Sequence, residues 1–194
     1  MILLNIGILL VIVILLILLS WIWPPDSPWA PWWRTNKKIA RKAFEIAKVN
    51  RKDIVYELGS GEATALMVAA KEFGARGVGI EIEPFRLLLS KFAVWRNGLN
   101  KKIILKRENF YKENLSDATV LYLYLVPQTL NRLKPKLLKE LKPGTRIISV
   151  VYQIPGGLTE GASEKELRPK GLIKSLKIAI NKKDKELFLY KIPN

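Results

Sequence analysis

Apolar and polar positions divide the chain into an uncharged opening run and a long stretch in which helical and strand periods alternate. The opening run, MILLNIGILLVIVILLILLSWIW over residues 1–23, carries no charged side chain. About 20 apolar residues in a helix match a bilayer core of about 30 Å, so this run predicts a transmembrane helix. A cleaved signal peptide fits less well, because there is no basic leading region, the run is long, and no small-x-small site follows it. Residues 24–34, which contain PPDSPWAPWW, are rich in proline and predict an extended linker. Trp21, Trp23, Trp29, Trp32 and Trp33 suit the headgroup region, or they cover the edge of the domain that follows.

From Thr35 to the end, 35–194, the periods alternate in the manner of one α/β domain. TNKKIARKAFEIAKV places Ile39, Ala43, Phe44 and Ala47 on one helical face, with Thr35 as its N-cap. DIVYELG reads as a buried strand, EATALMVAAKEFG as a helix ended by Gly74, and GVGIEIE as a second strand. PFRLLLSKFAVWRNG begins a helix at Pro84, shows apolar Phe85, Leu88, Leu89 and Phe92, and stops at Gly98. KIILKREN and ATVLYLYLV are the third and fourth strands; a helix from about Pro127 to Leu141 carries Leu130, Leu133, Leu137 and Leu141, with a break or a second start expected at Pro135. TRIISVVYQI, IKSLKIAI and ELFLYKI complete seven strands, the last two joined as a hairpin through the Lys-rich turn NKKDK. This alternation predicts a mostly parallel sheet with helices on both faces and a C-terminal antiparallel hairpin.

Composition narrows the chemistry. With 33 Lys plus Arg against 17 Asp plus Glu the formal net charge is +16, which favours an acidic partner such as nucleic acid, anionic lipid or an acidic protein. His and Cys are both absent, which removes the usual zinc and iron ligands, the thiol nucleophile and the imidazole base, and no metal site is expected. Arg34, Lys37, Lys38, Arg41 and Lys42 follow the apolar run closely, so the positive-inside rule puts the N-terminus outside and the domain in the cytoplasm, with anionic headgroups in reach of the same cluster.

In such a sheet, ligands bind beyond the carboxyl ends of the strands, beside the first one. ELGSG lies there, and Gly59 and Gly61 allow a tight turn and a close backbone approach. A dinucleotide site would want a glycine where Thr64 stands; an S-adenosylmethionine loop wants one where Ala63 stands, a difference of one methyl group. S-adenosylmethionine carries an ammonium and a sulfonium but no phosphate, so Glu57 beside the loop favours it over a pyrophosphate. Glu81, at the end of the second strand, is placed to accept both hydroxyls of a ribose; Glu83, two residues on and on the same face, is its rival. Asn109 and Phe110 stand where an adenine edge and face would be met.

The segments APWWRTNKK, DIVYELGSGEA, GVGIEIEP, ENF and DATVLYLYLVPQTLNRLKPKLLKELKPGTRIIS together resemble the Rossmann-like class I methyltransferases of the small protein-lysine methyltransferase group. That group has archaeal members and membrane-associated mitochondrial members that modify the adenine nucleotide translocase and the c-ring protein of the ATP synthase. The resemblance covers roughly residues 30 to 155 and implies an S-adenosylmethionine-dependent transfer of methyl to lysine. It also implies that Glu57, Gly59 and Gly61 hold the methionine portion, Glu81 the ribose, and Asn109 with Phe110 the adenine. Members usually have Asp for Glu57, Gly for Ala63, and VPT where this chain has Trp33, Arg34 and Thr35.

Such chemistry is compatible with the missing residue types, since methyl transfer from a sulfonium is an in-line displacement in which positioning alone supplies about 7–11 kcal/mol. Tyr122 and Tyr124 share a face of the fourth strand and either form an aromatic wall for the lysine ammonium, with Tyr124 nearer the reacting end, or simply pack under a helix. The expected partners are a membrane, through the N-terminal helix, and a protein substrate, which an integral membrane protein would satisfy. Other functions remain open: a small-molecule or lipid methyltransferase, or a non-catalytic anchored scaffold. Nucleic acid is the less expected partner, because YLVP stands where an Asn/Asp-Pro-Pro-aromatic signature would be.

Overall fold

The computed structural model describes residues 2–22, 35–158, 172–180 and 183–193, with the side chains of the first segment given from Asn5 to Leu18. The expected linker, 24–34, lies outside the described residues. The first helix, α1, runs Ile2–Ile22, and its side chains from Asn5 to Leu18 are all exposed. Among the described residues no helix is long and apolar enough to cross a membrane. The part of α1 with described side chains spans only about 21 Å at about 1.5 Å per residue.

The domain opens with α2 (Lys37–Ile46), capped by Asn36, whose side chain accepts from Lys38 N at 2.8 Å. The cap is thus one residue later than Thr35, while the buried face Ile39, Ala43 and Phe44 is the expected one. Then follow β1 (Ile54–Leu58), α3 (Thr64–Glu72), β2 (Arg76–Glu81), α4 (Pro84–Arg96), β3 (Ile103–Arg107), β4 (Val120–Leu123), α5 (Pro127–Glu140), β5 (Arg146–Val150), β6 (Leu172–Ile180) and β7 (Lys183–Lys191). All seven strands form one sheet in the order β3-β2-β1-β4-β5-β7-β6. The first five run parallel, and β7 is antiparallel to both β5 and β6.

Strand and helix periods each supply one face of the core. Val55, Val120, Tyr122 and Ile148 bury on one side of the sheet with α2 and α3, and Tyr56, Leu58, Leu121 and Leu123 on the other with Leu130, Leu133 and Leu137 of α5. At the amino ends of the strands, Asp53 accepts from Arg146 and from the Thr119 hydroxyl at 2.7 Å, which ties β1, β4 and β5 together away from the crevice.

Several expectations need correction. Pro135 does not break α5; it and Asn131, whose carbonyl loses its helical donor, are both on the exposed side, so water can serve the orphan group. Phe85, Leu88, Leu89 and Phe92 do not enter the core: Leu87, Ser90 and Val94 are the buried face of α4, and the larger side chains point outward. Lys183 to Lys185 of the expected NKKDK turn belong to β7, since Ile180 already pairs with Lys183. β5 also ends sooner than the apolar run suggests, because Val151 turns the chain with φ of 74°.

Candidate functional site

The carboxyl ends of β1, β2, β3 and β4 meet at one crevice, and the winding of the sheet reverses between β1 and β4. Leaving β1, the backbone is left-handed at every second residue: Gly59 at φ 74°, Gly61 at 50° and Ala63 at 56°. Gly59 N and Ser60 N both donate to Ile80 O, at 2.9 and 3.0 Å, which folds the loop over the end of β2. Gly79 on β2 makes this possible, since a Cβ there would lie 2.6 Å from Leu105 and 2.8 Å from Ser60 Oγ. In the sequence Gly79 belongs to no loop motif, and a glycine inside a strand is the one signal of this close approach.

Glu81 fastens this loop. Its Oε2 accepts from Gly61 N at 2.8 Å and its Oε1 from Glu83 N at 3.0 Å, in a buried setting. Each oxygen keeps a further lone pair, as a carboxylate that also receives two hydroxyls requires. Glu83 is engaged differently: its oxygens accept from Phe85 N at 2.8 Å and Arg86 N at 2.6 Å, as the N-cap of α4. The two acids thus have different jobs in the fold, Glu81 at the loop and Glu83 as the cap that Pro84 at the first helical position signals.

Among the described residues, the buried side-chain atoms with no hydrogen-bond partner are Glu57 Oε2, Ser60 Oγ and Tyr122 OH. Glu57 and Tyr122 are register partners on β1 and β4, and Ser60 lies two residues past β1, so all three belong to one site. Burial pushes the Glu57 carboxyl well above its ordinary range; the Leu66 amide opposes this and the Glu81 charge adds to it. A buried acid with one unpartnered oxygen beside a left-handed turn fits a ligand that brings a cation and a hydrogen-bonding small group, as the amino-acid end of S-adenosylmethionine does.

The remaining expected residues divide. Asn109 and Phe110 follow β3, whose Arg107 pairs with Glu81, so they stand beside the crevice. Asn109 Oδ1 accepts from Tyr111 N at 3.0 Å in a local turn, and the Phe110 ring packs on Tyr111 with centroids 4.6 Å apart. Tyr122 is wholly buried, its ring 5.5 Å from that of Phe44, and burial followed by the Glu57 charge raises its phenol well above the usual range. Its ring is thus core, and only its hydroxyl, beside Glu57 and Thr35, faces the site. Tyr124 lies just past β4, half-buried on the same side of the sheet. Lys185 Nζ donates to its hydroxyl and sits 5.0 Å from its ring centroid. Lys185 was not legible as a neighbour of Tyr124, because the insertion of β7 next to β5 leaves no local signal.

Residues 57–160 match the ANTKMT methyltransferase domain. A protein-lysine N-methyltransferase of Saccharolobus islandicus is 39% identical over 133 residues, covering 68% of this chain and 81% of that protein. The adenine nucleotide translocase lysine N-methyltransferase of Mus musculus is 31% identical over 100 residues, covering 51% of this chain and 43% of its own length. Among solved structures, an RNA methyltransferase from Salinibacter ruber in complex with S-adenosyl-L-homocysteine superimposes with a TM-score of 0.70 at 27% identity, covering 83% of this chain and 94% of that one. The chain thus spans most of the archaeal relative but less than half the length of the animal one.

Proposed function

The chain belongs to the ANTKMT methyltransferase domain family and is an S-adenosylmethionine-dependent methyltransferase; from that premise we propose that it methylates lysine side chains of a protein and that α1 holds it at a membrane. The observation that carries the lysine assignment is the ammonium of Lys185 at the hydroxyl end of Tyr124, at the carboxyl end of β4. The Tyr124 hydroxyl already receives a lysine Nζ by a hydrogen bond, and its half-buried ring lies 5.0 Å from that nitrogen. An acceptor lysine of a substrate protein would use the same groups in place of Lys185.

Glu57, Gly59 and Gly61 would hold the amino-acid end of S-adenosylmethionine, Glu81 its ribose, and Asn109 with Phe110 its adenine. When bound, S-adenosylmethionine supplies a methyl group on a positively charged sulfur. Tyr124 orients the acceptor nitrogen, and the buried surroundings of Tyr122 and Leu123 exclude water from that side of the crevice. Before it can attack, the acceptor Nζ must lose a proton, which a poorly solvated position favours for an amine. With no histidine in the chain, that proton leaves to a carboxylate or to water.

The membrane part of the proposal rests on α1, which has 21 residues, no charge, and exposed apolar side chains from Ile6 to Leu18. Its whole length is about 31 Å at about 1.5 Å per residue, against a hydrocarbon core of about 30 Å, although the part with described side chains is too short by itself to cross. The basic cluster from Arg34 to Lys42 supports a cytoplasmic domain by the positive-inside rule.

Incubating the full chain in lipid with radiolabelled S-adenosylmethionine and membranes of its host, beside a Glu81→Ala control, tests this reading. Label in a discrete protein band, mapped to lysine and lost in the control, is the expected result. Label in lipid, small molecules or RNA would overturn the protein-lysine assignment, and no turnover despite cofactor binding would point to a scaffold. The control should bind the cofactor about 10- to 100-fold less tightly, since a hydrogen bond to a charged partner is worth about 1.5–3 kcal/mol.

A further inference from the structure

The α4 helix has two apolar faces, and only one is used by the core. Leu87, Ser90 and Val94 are buried toward the sheet, whereas Phe85, Leu88, Leu89, Phe92 and Trp95 are between 45% and 64% exposed. At about 100° per residue these five form one stripe directly opposite the buried face. Five large side chains, two of them with rings 5.8 Å apart, make a patch of a kind that water-facing helices do not carry without a reason.

The surroundings of the stripe say what covers it. Arg86 and Lys91 fall on its two flanks and Arg96 at its carboxyl end, and α4 has no acidic residue after its Glu83 cap. An apolar stripe edged by basic side chains is the pattern of a helix that lies in a membrane interface, with the apolar face in the acyl boundary and the cations at the headgroups. Cover by α1 is a poor alternative. It comes into contact with α4, yet the stripe remains exposed and so do the α1 side chains from Asn5 to Leu18. A second copy would bring the basic flanks of two α4 helices together, with Glu83, already 3.8 Å from Arg86, as the one acid at the helix start to offset them.

We infer that the outward face of α4 is a membrane-docking surface, which binds the interface of a bilayer containing anionic phospholipid. This inference goes beyond the methyltransferase assignment and does not require α1 to span the bilayer. Because Glu83 caps α4 and Glu81 fastens the glycine loop, docking through α4 sets the crevice beside the headgroups, where a lysine at the membrane surface of a substrate is within reach.

The chain has no cysteine, so a single introduced thiol can be labelled without removing others. Full-length Phe92→Cys, Ile12→Cys and Lys139→Cys variants carry an environment-sensitive dye, with Trp95→Cys as a second position on the stripe. Each is reconstituted into vesicles of phosphatidylcholine with or without phosphatidylglycerol. The expected result is a blue shift of the dye at 92 and 95 in phosphatidylglycerol vesicles, quenching by brominated acyl chains, and loss of both on adding Lys91→Glu. The dye at 139, on exposed α5 surface, should stay unquenched. A dye at 92 that stays in water while that at 12 is quenched would overturn the inference and leave the α1 anchor standing. Quenching at 92 but not at 12 would support the inference and remove the anchor. A blue shift at 92 without lipid quenching would mean that protein covers the face, and would overturn the inference.

Discussion

Ala63 holds a left-handed backbone with a Cβ attached, at the third of three alternating left-handed positions. The cost of about 1–2 kcal/mol is partly offset by the freedom that glycine would have in the unfolded chain, about 0.5–1 kcal/mol. Ala63→Gly should therefore raise stability by about 0.5–1 kcal/mol in urea unfolding. Glu57 gives a prediction of opposite character. Burial raises its carboxyl pKa above the ordinary range, so the folded state retains a proton that the unfolded chain releases. Stability must then fall as pH rises from the unfolded value through the folded one. In unfolding experiments without cofactor the wild type should lose stability from acidic to neutral pH, and Glu57→Gln should lose less. Cofactor binding should weaken in the same variant, because an amide cannot pair with an ammonium. The sequence displayed these residues well: Glu57, Gly59, Gly61 and Glu81 stand together as their spacing along two adjacent strands implied. Two readings of Tyr122 and Tyr124 were open at that level, and the structure separates them by burial, with the first ring in the core and the second half-exposed. No local pattern distinguishes a tyrosine inside a strand from one a single residue past its end.

Elements were legible by period but not by orientation. In α2 and α5 only one face is apolar, so the apolar side chains that bury are the expected ones; Lys134, which its charge places on the solvent side, is buried as well, its Nζ donating to Pro155 O. In α4 both faces are apolar, and periodicity cannot say which meets the sheet; the face of Leu87, Ser90 and Val94 does, which leaves Phe85, Phe92 and Trp95 outside. The α4 cap is a device of the same element with a separable role. Glu83→Ala should cost about 1–2 kcal/mol and release the first-turn amides of α4 to hydrogen exchange, while leaving the Glu81 bond to Gly61 in place. An equal loss of cofactor affinity in Glu83→Ala and Glu81→Ala would show that the cap and the ribose acid are not separate.

For the whole molecule, the formal charge of +16 acts at a distance that salt controls. Screening lengths of about 8 Å at physiological ionic strength make headgroup attraction fall as salt is added, whereas an apolar span is indifferent to it. Washing membranes with concentrated salt should therefore leave the protein attached if α1 spans them; release by salt would mean that the surface contacts alone hold it. The parallel arrangement of the first five strands was evident from the alternation of elements. The position of the C-terminal hairpin was not, since nothing in the sequence tells β6 from β7 as the neighbour of β5.

That position sets an order of events during synthesis. β6 leaves the ribosome before β7, yet β7 is the strand that joins it to the sheet. Until β7 emerges, the nascent chain presents the unpaired edge of β5 and a β6 that lacks its partner strand. The order of strands in the sheet is thus not the order of synthesis: β6, made first of the pair, takes its place only once β7 lies against β5.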